Sequence, residues 1–168
     1  MRLRHLFNPL LPAALVLPVF LACAQSPSSG SCDYQPVSLA ADGAVFSGRV
    51  GEVQIRLHTE RTDQLVDSFP DSSLHISSAR GARCQAEGGV WHRRGVWVAS
   101  DGRTVAAIES SGSGAVLVFF SVEDCQRVGQ IDVSGSRWRI VGRHVETTPA
   151  LGAERTPRRR QLGTDCRP

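Results

Sequence analysis

The sequence predicts an all-β protein: one antiparallel domain of about eight strands, built as a sandwich or a small barrel, with at most one short helix. Three observations carry this. Apolar and polar residues alternate in short runs, glycine-containing turns separate those runs, and one run, residues 115–120, is apolar at every position. The length of 168 residues, 41% of them apolar and 21% charged, suits a single domain and excludes a polytopic membrane chain.

Taken in order, residues 37–40 and 44–50 read as strands joined by Asp42-Gly43, a dipeptide that tolerates the positive φ of a hairpin turn. In residues 52–58, Val53, Ile55 and Leu57 alternate with Glu52, Gln54, Arg56 and His58, so one face is buried and the other wet. A short helix is predicted next, with Thr62 as its cap, Asp63 at its positive end, Leu65, Val66 and Phe69 as its apolar face, and Pro70 as its stop. Residues 74–78 read as a short strand. Residues 95–99, 104–110 and 115–122 form a meander with turns at Asp101-Gly102-Arg103 and Ser111-Gly112-Ser113-Gly114. The wholly apolar run within it requires cover on both faces, and hence a second layer. Residues 128–133 and 137–145 complete the set, with Trp138 and Ile140 facing one way and Arg137 and Arg139 the other. From Thr147 the pattern fades into proline, glycine and arginine. The turn at Ser100–Ala106 has the look of a β-propeller hairpin. However, 146 residues after a leader hold at most three blades of about 40, below the four that closure needs.

The first 22 residues form an address. Arg2, Arg4 and His5 precede an apolar run interrupted by Pro9, Pro12 and Pro18, a poor membrane-spanning helix but a good export signal. Its end, Val19-Phe20-Leu21-Ala22-Cys23, resembles the bacterial lipoprotein precursor class, in which a small residue stands before an acylated cysteine. The resemblance implies lipidation at Cys23. Because Ala24 is not the aspartate that retains such proteins in the inner membrane, it also implies the periplasmic face of a Gram-negative outer membrane. An ordinary secretory signal cut after Ala24, giving a soluble periplasmic or secreted protein, is the alternative. Residues 23–31 then serve as the acylated cysteine and a flexible tether, 32–146 as the β domain, and 147–168 as a Pro/Arg-rich tail pinned by Cys166. The resemblance covers the leader alone and leaves the domain without an assigned family.

Cys32, Cys84, Cys125 and Cys166 remain, an even number in an oxidising compartment, so two disulfides are expected. Three pairings are open; Cys84 with Cys125 and Cys32 with Cys166 is favoured because the second bridge would tie the domain's ends together. A metal site is disfavoured by the wide spacing of the cysteines and the absence of a His-x-His pair. All 19 basic residues are arginine, and the formal charge of +3 is too small for a nucleic-acid binder. The charge is also uneven: residues 23–150 carry 12 arginines and 14 acids, residues 151–168 five and two.

Chemistry leaves little trace. There is no Gly-x-Ser-x-Gly elbow and no lysine for a phosphate-binding loop, and the histidines are scattered, so no catalytic residue, cofactor or metal is assigned. The feature that stands out is Val90-Trp91-His92-Arg93-Arg94-Gly95-Val96-Trp97, two of the three tryptophans and two adjacent arginines. It reads as a hairpin with His92, Arg93 and Arg94 at its tip and Trp91 and Trp97 on its arms. Tryptophan and arginine dominate binding hot spots because each offers a large rigid area with a polar handle. The competing reading makes both tryptophans core and the arginines solvated. The sequence therefore predicts a lipid-anchored, non-enzymatic periplasmic domain that engages another protein, as an inhibitor or immunity factor or as an envelope-complex component. A small-ligand or glycan-binding module is the alternative, and a hydrolase with a triad invisible in sequence is the third.

Overall fold

The computed structural model describes residues 32–60, 66–70, 72–150 and 156–168. Among them are fourteen strands and no helix. In chain order these are β1 (Tyr34–Pro36), β2 (Ala40–Asp42), β3 (Val45–Val50), β4 (Val53–His58), β5 (Ser68–Phe69), β6 (Leu74–Ser78) and β7 (Arg83–Ala86). They continue with β8 (Val90–Ala99), β9 (Thr104–Ser111), β10 (Gly114–Ser121), β11 (Arg127–Asp132), β12 (Ser136–Val141), β13 (His144–Pro149) and β14 (Arg158–Gln161). All pairings given are antiparallel and fall into three sheets: β1-β8-β9-β10-β11 with β5 also on β8, β2-β3-β4-β6-β7, and β12-β13-β14.

The meander sheet is the middle layer, and β10 shows why. Val116, Val118 and Phe120 point into one core with Phe46, Ile55, Leu57, Leu74 and Ile76 of the second sheet. Ala115, Leu117 and Phe119 point into the other with Ile140 and Val145 of the third sheet and with Leu162. A strand apolar at every position is the sequence of a strand covered on both faces. Each fully buried side chain of this kind stabilises the fold by about 1.5–3 kcal/mol. The fold is thus all-β as the sequence predicts, a layered sandwich and not a closed barrel.

Fourteen strands replace the expected eight because the extra ones are too short or too polar to show a period. β5 has two residues, β1 and β2 three each. The predicted helix ends instead in β5, whose Phe69 pairs with Trp91 and packs edge-to-face on Phe46 at 5.0 Å; residues 61–65, its expected first turn, lie outside the described residues. The stretch 137–145, read as one strand, is a hairpin: Gly142 at φ +54 turns the chain so that Val141 pairs with His144. That third sheet also takes in residues without any alternation, since β13 continues to Pro149 and the arginine run supplies β14.

Two disulfides clamp the layers. Cys84–Cys125 ties β7 of the second sheet to the turn after β10 of the first, with Cα atoms 5.6 Å apart. Cys32–Cys166 joins the two ends of the domain at 5.3 Å. The phenol of Tyr34 donates to the Cys166 carbonyl at 2.6 Å, and burial pushes its pKa far above the usual phenol range. Beside this bridge, Pro168 lies so close to Gly129 that a Cβ there would come within 2.4 Å of its ring.

Candidate functional site

The Trp/Arg segment is not a hairpin. It is one ten-residue strand, β8, interrupted by a bulge. Trp91 pairs with Glu109 and Val96 with Ala107, so four residues, His92 to Gly95, stand opposite the single residue Ile108. Bulges of this kind re-aim side chains next to sites. Gly95 lets the excess chain fold back, because a Cβ there would meet the Cβ atoms of His92 at 3.0 Å and Ile108 at 3.2 Å.

Trp91 anchors one end of the bulge. Its indole is fully buried, its Nε1 donates to the Ser72 carbonyl at 2.7 Å, and its ring centroid lies 5.9 Å from that of Phe120. The approach depends on Gly88, where a Cβ would fall 2.3 Å from the indole Cζ2. Glu109 fixes the neighbouring chain by accepting from Gly89 N at 2.9 Å and from the Arg127 guanidinium.

The bulge residues themselves are held from three sides. His92 Nε2 lies 2.8 Å from Ser110 Oγ of β9, and its backbone pairs with Ser68. Arg93 N donates to the Asp67 carbonyl at 2.9 Å, its Nε donates to Leu39 O at 3.1 Å, and its guanidinium sits 5.0 Å over the Phe46 ring. Arg94 is exposed. Trp97 lies beyond the bulge on the opposite face of β8, packed edge-to-face on Trp138 at 4.9 Å between the first and third sheets. Of the five residues singled out, the structure brings His92, Arg93 and Arg94 together in one bulge, buries Trp91 at its end and packs Trp97 against Trp138 on the other face. The cation set above an immobilised aromatic core can present hydrogen-bond donors to a partner with little loss of side-chain entropy.

Two further clusters were not singled out from sequence. On the third sheet, Glu146 is clamped: Arg139 Nε and Nη2 reach one carboxylate oxygen at 2.7 and 2.6 Å, and Arg159 Nε reaches the other at 2.9 Å. The Arg139 hydrogen bond, then the charges of both arginines, hold its carboxyl below the usual range. On the second sheet, His58 and His75 meet edge-to-face at 5.0 Å. Desolvation, and then the neighbouring His58, hold His75 below the ordinary imidazole value. His58 was visible on the wet face of its strand, but its meeting with His75 depends on the register of a strand sixteen residues away. No group of three or more His, Cys, Asp or Glu among the described residues is arranged to hold a metal ion.

The family model for Immune protein Tsi1 matches residues 32–154, which is nearly the whole of this three-sheet domain. The chain belongs to the Tsi1 immune protein family. A curated relative, Immune protein Tsi1 of Pseudomonas aeruginosa strain PAO1, is 35% identical over 99 residues, covering 57% of this chain and 58% of the relative. The chain therefore spans under two thirds of that relative. Membership of the Tsi1 family supplies what the leader alone did not, a family for the domain itself.

Proposed function

We propose that this protein is a non-enzymatic immunity protein that protects its bacterium by binding a partner toxin protein, and that the bulge residues His92, Arg93 and Arg94 form part of the contact surface. The observation that carries the reading is the family match across the β domain, to a family described as immune proteins. The bulge supports the location: it sets two adjacent arginines on a disulfide-clamped scaffold, and Arg94 is exposed. Arginine there can hold a carboxylate through two parallel hydrogen bonds.

The same reading places the protein outside the cytoplasm. The two disulfides support an oxidising compartment. The Ala22-Cys23 junction supports acylation at Cys23, with residues 24–31 as a tether that reaches at most about 30 Å from the membrane to Cys32. Anchoring would keep the domain where an incoming toxin must pass.

Capture from envelope extracts, with the protein as bait, tests the function. A single toxin should be retained, and cells lacking the protein should lose viability in its presence. Recovery of no partner, together with unaltered survival of such cells, overturns the reading. Partition of a Cys23→Ser protein into the aqueous phase tests the anchor separately.

A further inference from the structure

The outer face of the second sheet carries a cavity of about 470 Å³ whose wall is cationic. Arg56, Arg83, His58 and His75 line it together with Gln54 and Ser77, and no acid among the described residues does. Register explains the convergence. Arg56 pairs with His75 across β4 and β6, and Ser77 pairs with Arg83 across β6 and β7, so alternate outward residues of three strands meet on one face. The arginines stand on strands two spacings apart, about 10 Å across the sheet. Arg56 reaches Gln54 Oε1 at 3.4 Å, and neither arginine is in an ion pair among the described residues. The acid just past β7, Glu87, is already engaged by Ser73 at 3.0 Å and by Gln85.

Four cationic or protonatable groups around one cavity repel one another, and unpaired guanidiniums match planar carboxylates with two donors each. We propose that this cavity is a binding site for a small dicarboxylate, one carboxylate taken by Arg56 and the other by Arg83, with its spacer crossing the outward β6 residues His75 and Ser77. His75 stands beside Arg56 on the intervening strand and becomes a third cation when protonated, so binding strengthens as pH falls. The groups that set this dependence are His58 and Arg56 on β4, Arg83 on β7, Glu87 beyond it, and Glu60 at the mouth of the adjoining cavity that shares His58 and His75. The site is separate from the β8 bulge and stands whether or not that surface binds a toxin.

The test is a titration of the purified protein with glutarate, with inorganic phosphate as a second arm, followed by the imidazole nitrogen resonances of His58 and His75. Glutarate should shift both to saturation, more tightly at about pH 5.5 than at about pH 7.5, where an ordinary imidazole has lost its proton. Arg56→Gln and Arg83→Gln should each weaken binding about tenfold or more while leaving the far-ultraviolet circular dichroism unchanged, the loss that one charge-assisted hydrogen bond implies. Shifts that never saturate, that persist in the double variant, or that appear with phosphate and not with glutarate would overturn the assignment.

Discussion

If Trp91 is the anchor of the bulge, its removal should cost more than that of any other residue in the segment. The indole is fully buried and has three dependencies: a hydrogen bond of 2.7 Å to Ser72 O, an edge-to-face contact with Phe120, and the bare backbone of Gly88 against its six-membered ring. Trp91→Ala leaves a large cavity and should destabilise by about 3–5 kcal/mol. Trp91→Phe keeps an aromatic ring in place but orphans the Ser72 carbonyl, so about 1–2 kcal/mol is expected. A domain of this size loses about 3–5 °C in midpoint per kcal/mol, which puts Trp91→Ala roughly 9–25 °C below the parent. Urea unfolding with both disulfides oxidised, followed by circular dichroism, measures both variants, and an unchanged slope checks that the transition stays two-state. A Trp91→Ala midpoint within about 1 kcal/mol of the parent would refute the anchoring role.

Three other outcomes follow from the same geometry. Replacing Cys84 and Cys125 together by alanine releases a crosslink across 41 positions and should cost about 4 kcal/mol on the chain-entropy model, read as a fall in urea midpoint under oxidising conditions. Glu146 has a carboxyl pKa depressed by Arg139 and Arg159, so its stabilisation is present above the ordinary carboxylate range and is lost as pH falls through the folded value. Glu146→Gln should therefore flatten the acid limb of the stability profile. His75 is also depressed, which means the unfolded chain takes up its proton first, and stability should drop as pH falls below about 6.5. His75→Gln should remove that part of the drop, as measured by thermal melts across the pH range.

Much of the fold was legible because it rests on local pattern. The alternation in β4 and the unbroken apolar run of β10 each state which faces are covered, and the layered sandwich follows from them. The favoured cysteine pairing also holds, since the ends of an antiparallel domain have to be brought together for Cys32 to meet Cys166. The Trp/Arg segment stands out in the sequence, but its shape does not. Trp91 and Trp97 are six positions apart, an even number, and a regular strand would set them on one face. The bulge inserts three extra residues, reverses the alternation, and sends Trp91 and Trp97 into different cores. Nothing local announces a bulge whose first residue is paired with β5, a two-residue strand from more than twenty positions earlier. The pairings behind the Arg139–Glu146–Arg159 clamp and the His58–His75 cluster are of the same kind, set by register between strands and absent from either strand alone.

We propose that this Tsi1-family protein acts by binding another protein through the β8 bulge. Calorimetric titration of the captured partner toxin against the parent and against Arg94→Ala, at one fixed salt concentration, tests it most directly. Arg94 is exposed, so its loss should leave the unfolding midpoint within about 0.5 kcal/mol of the parent. Affinity should nonetheless fall at least about thirtyfold, the loss of about 2 kcal/mol that marks a hot-spot arginine. Equal affinity for the parent, Arg94→Ala and a His92→Ala/Arg94→Ala variant would contradict the claim and move the interface to another face of the sandwich.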